Sequence, residues 1–222
     1  MQAVLWDMDG TLVDTEPYWM ECEFELAERY GGAWSREHAL AIVGGDLIHS
    51  ATYIREHMGI DRTPQQIVEE LLDGVVRRVE QEVPWRPGAR ALLAELRELD
   101  VPCALVTMSW RRFVEPVVQR LPEGSFEALV CGDEVTHGKP HPEPYRRAAE
   151  LLGVDPGATL AIEDSPTGVE SAAAAGCVVL VVPSHVPVAA GPRQEHRDSL
   201  DGLGPADLRR LHASGSLLTS GD

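Results

Sequence analysis

From residue 88 onward the chain exchanges strand-like and helix-like segments in regular alternation, and this narrows the fold more than any other feature. Leu92, Leu93, Leu96 and Leu99 mark one face of a helix, and residues 101–106 follow as a short apolar strand. The pattern then predicts helices over 111–121, 142–152 and 165–175, the last two stopped by Gly153 and Gly176. Between and after them come strands over 128–131, 159–162 and 177–182, and residues 3–6 supply one more at the start. Continuous apolar strands joined by helices call for a parallel sheet covered on both faces. The expected class is α/β, with a Rossmann-like parallel sheet core.

Residues 15–86 interrupt that pattern. Segments 20–30, 36–43, 46–57 and 65–83 all read as helices with no strand between them. Thr63 and Pro64 make a good helix start, the first as cap and the second in the first turn. Ile67, Val68, Leu71, Leu72, Val75, Val76, Val79 and Val83 then form a wide apolar stripe. Such a block inserted after the first strand predicts a helical cap domain over 15–86 on a core domain built from 1–14 and 87–222. After Pro183 the chain turns rich in Pro, Gly and Ala; a helix is expected over 205–212 and a frayed tail over 214–222.

Charge excludes some partners. The 222 residues carry 36 Asp+Glu against 19 Lys+Arg, a net charge of −17, and the cations are 18 arginines and one lysine, Lys139. Nucleic acid and anionic membranes both need clustered cations, so neither is an expected partner. Any anionic substrate needs something local to reverse the field. Cys22, Cys103, Cys131 and Cys177 lie far apart without zinc spacing, and no apolar run reaches membrane-span length. An acidic segment from residue 7 leaves no room for a signal peptide, so a reducing, cytoplasmic setting is expected.

The chemistry-bearing residues gather at strand ends. The first strand runs into Asp7-Met8-Asp9-Gly10-Thr11-Leu12-Val13-Asp14, two carboxylates at i and i+2 beside a glycine that permits a sharp bend. Ligands of open parallel sheets bind at the carboxyl ends of the strands, and crowded aspartates there invite a hard divalent cation. Thr107-Met108-Ser109, Gly138-Lys139-Pro140 and Glu163-Asp164-Ser165 occupy equivalent positions. Each has a plainer reading alone: Thr107 as a helix cap, Glu163 and Asp164 as helix-start acids, Lys139 as a solvated charge. Together they place acids, hydroxyls and one cation at successive strand ends.

These motifs, DMDGTLVD from Asp7, LVTMS ending at Ser109, GKPHPEPY from Gly138 and IEDSPTGVESAAAAG from Ile162, resemble those of the haloacid dehalogenase-like superfamily across essentially the whole chain. The insertion is similar to the small helical cap of its β-phosphoglucomutase-like branch. The resemblance implies that Asp7 is a nucleophile forming an aspartyl-phosphate and that Asp9 is general acid and then base. It further implies Mg²⁺ held by the Asp7 and Asp164 carboxylates and the Asp9 carbonyl, with Glu163 as a supporting acid. Thr107, with Met108 and Ser109, would bind the phosphoryl group, and Lys139 would neutralise it together with Asp7.

Within that family Asp9 argues against dehalogenation, because a departing halide needs no proton. Trp19 stands where the mutase pattern has a histidine, and residues 41–47 hold no Lys or Arg for a second phosphate. Both favour a phosphatase for a small sugar or polyol monophosphate; a phosphomutase and a non-catalytic binding protein of this fold are the alternatives. Substrate choice is expected in the cap, at Trp19, Glu23, Gly44, Gly45, Asp46 and His49, with Trp110 and Arg111 nearby. The sequence leaves oligomeric state open.

Overall fold

The computed structural model describes residues 1–217. Its core is a six-stranded, all-parallel sheet in the order β3-β2-β1-β4-β5-β6. The strands are β1 (Ala3–Trp6), β2 (Cys103–Val106), β3 (Ala128–Val130), β4 (Thr159–Glu163), β5 (Val178–Val181) and β6 (Gln194–His196). Strands β1, β2, β4 and β5 are buried along their whole length, which is why β1, β2 and β5 read as unbroken apolar runs. Helices α5 (Ala89–Glu98), α6 (Arg111–Val118), α7 (Glu143–Leu151), α8 (Pro166–Ala175) and α9 (Pro205–Leu217) cover the sheet. The chain builds outward from β1 to β3, then crosses back to β4 on the other side of β1. The strand order therefore reverses at β1, the position where such sheets open a crevice.

Four helices lie between β1 and α5: α1 (Glu16–Tyr30), α2 (Arg36–Ala41), α3 (Leu47–Met58) and α4 (Pro64–Gln81). The expected helical insert is present. Thr63 caps α4 in a reciprocal box with Gln66, and Ile67, Val68, Leu71, Leu72, Val75 and Val79 are buried along its stripe. Val76 and Val83 are only partly buried. The two chain crossings run side by side, with Val13 bridging Trp85 and Asp14 N donating to Pro84 O at 2.7 Å. Trp19 of α1 packs edge-on against Phe113 of α6, centroids 5.5 Å apart, which seats the insert on the core.

Several expectations shift. Helix α1 starts at Glu16 rather than residue 20, with Pro17 in its first turn. Strand β2 begins at Cys103, because Val101 and Pro102 precede the ladder, and α5 ends before Leu99, which is exposed. Strand β6 was not foreseen. Helix α9 continues to Leu217 and absorbs residues 214–217 of the expected tail; residues 218–222 lie outside the described residues. All four cysteines are buried free thiols, and no helix among the described residues is long and apolar enough to cross a membrane.

Candidate active site

Asp7 is the first residue past β1, and its N–H extends the sheet by donating to Ile162 O at 3.0 Å. Beyond it the chain folds back tightly, with Leu12 N and Val13 N both donating to Met8 O. Gly10 makes this possible at φ +88°, and a Cβ there would lie 2.0 Å from Asp164 Oδ2. The Asp9 turn and the end of β4 can meet only because residue 10 lacks a side chain.

Lys139 enters from the loop between β3 and α7, with its side chain 3% exposed. Its ammonium donates to Asp7 Oδ1 (2.7 Å), Glu163 Oε1 (2.6 Å) and Val106 O (3.0 Å), so all three protons have acceptors. Burial alone would push this amine down; the charges of Asp7 and Glu163 outweigh it and hold the ammonium above its ordinary range. The only lysine of the chain is thus a fixed positive charge inside the sheet's carboxyl edge. Met108 supports it from behind, its Sδ accepting from Lys139 N at 3.1 Å.

Glu163, expected among the metal-binding acids, forms with Asp7 and Asp164 a buried triad whose ligand atoms lie within 4.8 Å of one another. Its lone pairs are already engaged. Oε1 accepts from Lys139 and from Tyr145 Oη (2.6 Å), and Oε2 from Asp164 N (3.1 Å) and Ser165 Oγ (3.3 Å). Gly168 makes room, since a Cβ there would sit 1.9 Å from Glu163 Oε1. Asp7 Oδ2, by contrast, is buried with no hydrogen-bond partner. Burial, with repulsion from Glu163 and Asp9, pushes Asp7 up to about 7 against the pull of Lys139. Burial, then Asp7 and Glu163, push Asp164 up to about 9. Two crowded carboxylates and an orphaned buried oxygen fit a hard divalent cation.

Asp9 is held differently. Thr15 Oγ1 donates to its Oδ1, while Ser109 Oγ (2.7 Å) and Thr107 Oγ1 (3.3 Å) donate to Oδ2. Ser109 N donates back to Thr107 Oγ1 at 3.0 Å, fixing that hydroxyl. Three hydroxyls therefore orient one carboxyl group beside Asp7.

These residues floor a cleft shared by the core and the insert. Asp7, Asp9, Thr107, Met108, Ser109, Lys139 and Asp164 line its core side. Its insert side is mostly apolar, with Trp19, Ile54, Val68 and Leu71, and is closed by Gly44 and Gly45. A Cβ on Gly44 would touch Ser165 at 3.8 Å, so this loop lies directly on the core. Two acids interrupt the apolar wall. Burial pushes Glu16 up to about 8, with Glu23, Asp9 and Asp14 adding to it. Burial likewise pushes Glu23 up to about 7, partly opposed by Trp34 Nε1 donating to it at 3.0 Å. Lys139 is the one Lys or Arg among the described lining residues.

A model of the family described as haloacid dehalogenase-like hydrolase matches residues 4–182. The chain belongs to the haloacid dehalogenase-like hydrolases. Hexitol phosphatase B of Escherichia coli (strain K12) is 32% identical over 186 residues, covering 82% of this chain and 83% of its own. A phosphorylated carbohydrates phosphatase of Thermotoga maritima is 32% identical over 177 residues, 79% and 82% of the two chains. Among solved structures, CbbY of Rhodobacter sphaeroides in complex with xylulose-(1,5)-bisphosphate aligns with TM-score 0.82 at 28% identity, covering 94% of this chain and 99% of that one. The helical cap after β1 and this likeness put the chain in the β-phosphoglucomutase-like branch of the haloacid dehalogenase-like hydrolases, as the motifs implied.

The structure brings Asp7, Asp9, Thr107, Met108, Ser109, Lys139, Glu163 and Asp164 together, and Trp19, Glu23, Gly44 and Gly45 line the same cleft. Four candidates fall elsewhere. Asp46 caps α3 by accepting from His49 N, His49 itself is exposed, Trp110 packs against the core, and Arg111 pairs with Glu134. Thr15, Glu16, Tyr145 and His185 were missed. His185 lines the cleft, and its Nε2 lies 2.8 Å from Asp14 Oδ1, at the entry to the insert.

Proposed function

We propose that this chain is an Mg²⁺-dependent phosphatase for the monophosphate ester of a small sugar or polyol, acting through an aspartyl-phosphate on Asp7. The observation that carries this is Asp7 locked against Lys139, with the hydroxyl-oriented carboxyl of Asp9 beside it at the floor of one cleft. A carboxylate oxygen of Asp7 attacks phosphorus as the ester P–O bond breaks. Asp9 gives its proton to the departing alkoxide. Asp9 then takes a proton from water, the water oxygen attacks the aspartyl-phosphate, and inorganic phosphate leaves with the Asp7 carboxylate restored. Lys139 holds a positive charge against the phosphoryl oxygens, and Thr107 and Ser109 orient Asp9 with their hydroxyl protons. Asp7, Asp164 and the Asp9 carbonyl would hold Mg²⁺, which when bound neutralises phosphoryl charge. Glu163 keeps the lysine in place.

On this reading residues 15–86 act as a cap domain over a core of 1–14 and 87–222, and the cap walls select the leaving group. An insert wall that is apolar but for Glu16 and Glu23, over a floor with one cation, suits a substrate with a single phosphate and a neutral, hydroxylated body. That favours a phosphatase over a mutase, which has to hold a second phosphate. The names of the hexitol and carbohydrate phosphatases point to the same substrate class. The buried thiols fit a reducing, cytoplasmic setting.

The test is a phosphate-release screen over hexitol, sugar, nucleotide and acid monophosphates with and without Mg²⁺. Hexitol or sugar esters should lead, Asp7→Asn should fall to background, and Asp9→Asn should lose about 10²–10⁴-fold in kcat. Undiminished turnover by Asp7→Asn would overturn the nucleophile. Absence of Mg²⁺-dependent release from every ester would favour the binding-protein alternative. Accumulation of glucose 6-phosphate from β-glucose 1-phosphate would favour the mutase.

A further inference from the structure

His137 and His141 stand two residues either side of Lys139, and Glu143 opens α7 just beyond. The imidazole rings face each other with centroids 4.6 Å apart and planes tilted by 34°. Both Nδ1 atoms turn toward one carboxylate oxygen, Glu143 Oε2, at 2.8 Å from His137 and 4.0 Å from His141. His141 Nδ1 accepts from Glu143 N at 3.2 Å, so it carries a lone pair. The carboxylate is fixed as well: Oε1 accepts from Thr136 N at 2.7 Å and Oε2 from His137 N at 3.0 Å. The three ligand atoms lie within 4.8 Å of one another. The two histidine side chains are 61% and 49% exposed, open to an ion from solvent.

Two imidazoles and a carboxylate held at a common point form a Zn²⁺ donor set, with water completing four-coordination. Imidazole nitrogen favours borderline transition ions over Mg²⁺, which the all-oxygen cluster at Asp7 and Asp164 suits. We propose that His137, His141 and Glu143 form a second metal site, taking Zn²⁺ or a similar borderline divalent ion, on the outer face of the loop that carries Lys139. Binding moves the His137 ring proton from Nδ1 to Nε2, freeing Nδ1 for the ion, and displaces the Glu143 N–H from the His141 Nδ1 lone pair. It replaces these hydrogen bonds with a tie from residue 137 through 141 to 143, bracing the backbone on both sides of Lys139.

The experiment titrates Zn²⁺ into the full, chelator-stripped chain against a chromophoric zinc indicator, with Mg²⁺ in excess to fill the acidic cluster. One Zn²⁺ per chain is expected. His137→Gln and His141→Gln should each weaken it by at least about tenfold, since losing even an outer-shell partner of a metal ligand costs about that much. Asp164→Asn should leave it unchanged. Zinc should also slow amide exchange over residues 136–143 in the parent chain and not in His141→Gln. Because both histidines are exposed, unchanged circular dichroism should verify that the variants fold. No zinc drawn from the indicator, uptake that survives the double substitution, or uptake abolished by Asp164→Asn overturns the proposal.

Discussion

Glu163 decides how charge is arranged in the site. Fully buried, it gives its lone pairs to Lys139, Tyr145 and the backbone of Asp164, and this holds the lysine against Asp7. Tyr145→Phe removes only the phenol from that network. It should cost about 1.5–3 kcal/mol in urea unfolding, the range for a hydrogen bond to a charged group; an unchanged midpoint would contradict the role given to Tyr145. Asp7, Asp9, Lys139 and Asp164 were legible in the sequence because each sits in a short local motif at a strand end. Tyr145 was not. Its partner lies 18 residues away and on another element, so in sequence it reads as one more position on an apolar helix face. Thr15 was hidden in the same way. Its place at the head of α1 suggests a cap, yet it makes no cap hydrogen bond and turns its hydroxyl to Asp9.

Among the elements, α4 packs its Gly74 against Cys22 of α1, where a Cβ would lie 2.5 Å from Cys22 Sγ and 3.4 Å from Cys22 Cβ. Two effects compete for Gly74→Ala. Helix propensity favours alanine by about 1 kcal/mol, while forcing a methyl into a filled interface costs about 1–3 kcal/mol. The distance decides between them, because real Cβ atoms do not sit at 2.5 Å. Gly74→Ala should therefore destabilise the chain. Cys22→Ala removes the obstructing sulfur, so the pair should be more stable than the two single effects predict. A double-mutant cycle of denaturant midpoints measures that coupling, and strict additivity would mean the helices separate instead. The periodicity of α4 was readable because its buried stripe is set by side chains. Strand β6 offers no such signal: Gln194, Glu195 and His196 are all polar, and the strand joins the sheet through its backbone beside β5. Pattern reading detects what side chains bury, so a polar edge strand escapes it.

At the scale of the whole molecule, the net charge of −17 is no obstacle to the proposed phosphate substrate, because the acids around the cleft are organised about Lys139 and a carboxylate cluster able to take a cation. Burial raises Asp7 to about 7, Glu23 to about 7, Glu16 to about 8 and Asp164 to about 9, from ordinary values of 3.8 for aspartate and 4.5 for glutamate. Folding therefore takes up protons wherever the unfolded chain has already released them. The stability these groups contribute is complete below the ordinary carboxylate range and is lost as pH climbs through 7 to 9. A chelator-treated chain should then melt at a lower temperature at pH 9 than at pH 6. A divalent ion that binds only the folded chain opposes this loss, and more strongly at high pH, where it has fewer protons to displace. Added Mg²⁺ should raise the melting temperature more at pH 9 than at pH 6, with NaCl of equal ionic strength as the control. Asp164→Asn removes the most strongly raised carboxyl and one side of the cation cluster. It should both flatten the pH dependence and blunt the response to Mg²⁺. A melting temperature that rises with pH in the chelated chain, or a full Mg²⁺ response in Asp164→Asn, would show that the buried acids are balanced by something other than protons and a bound cation.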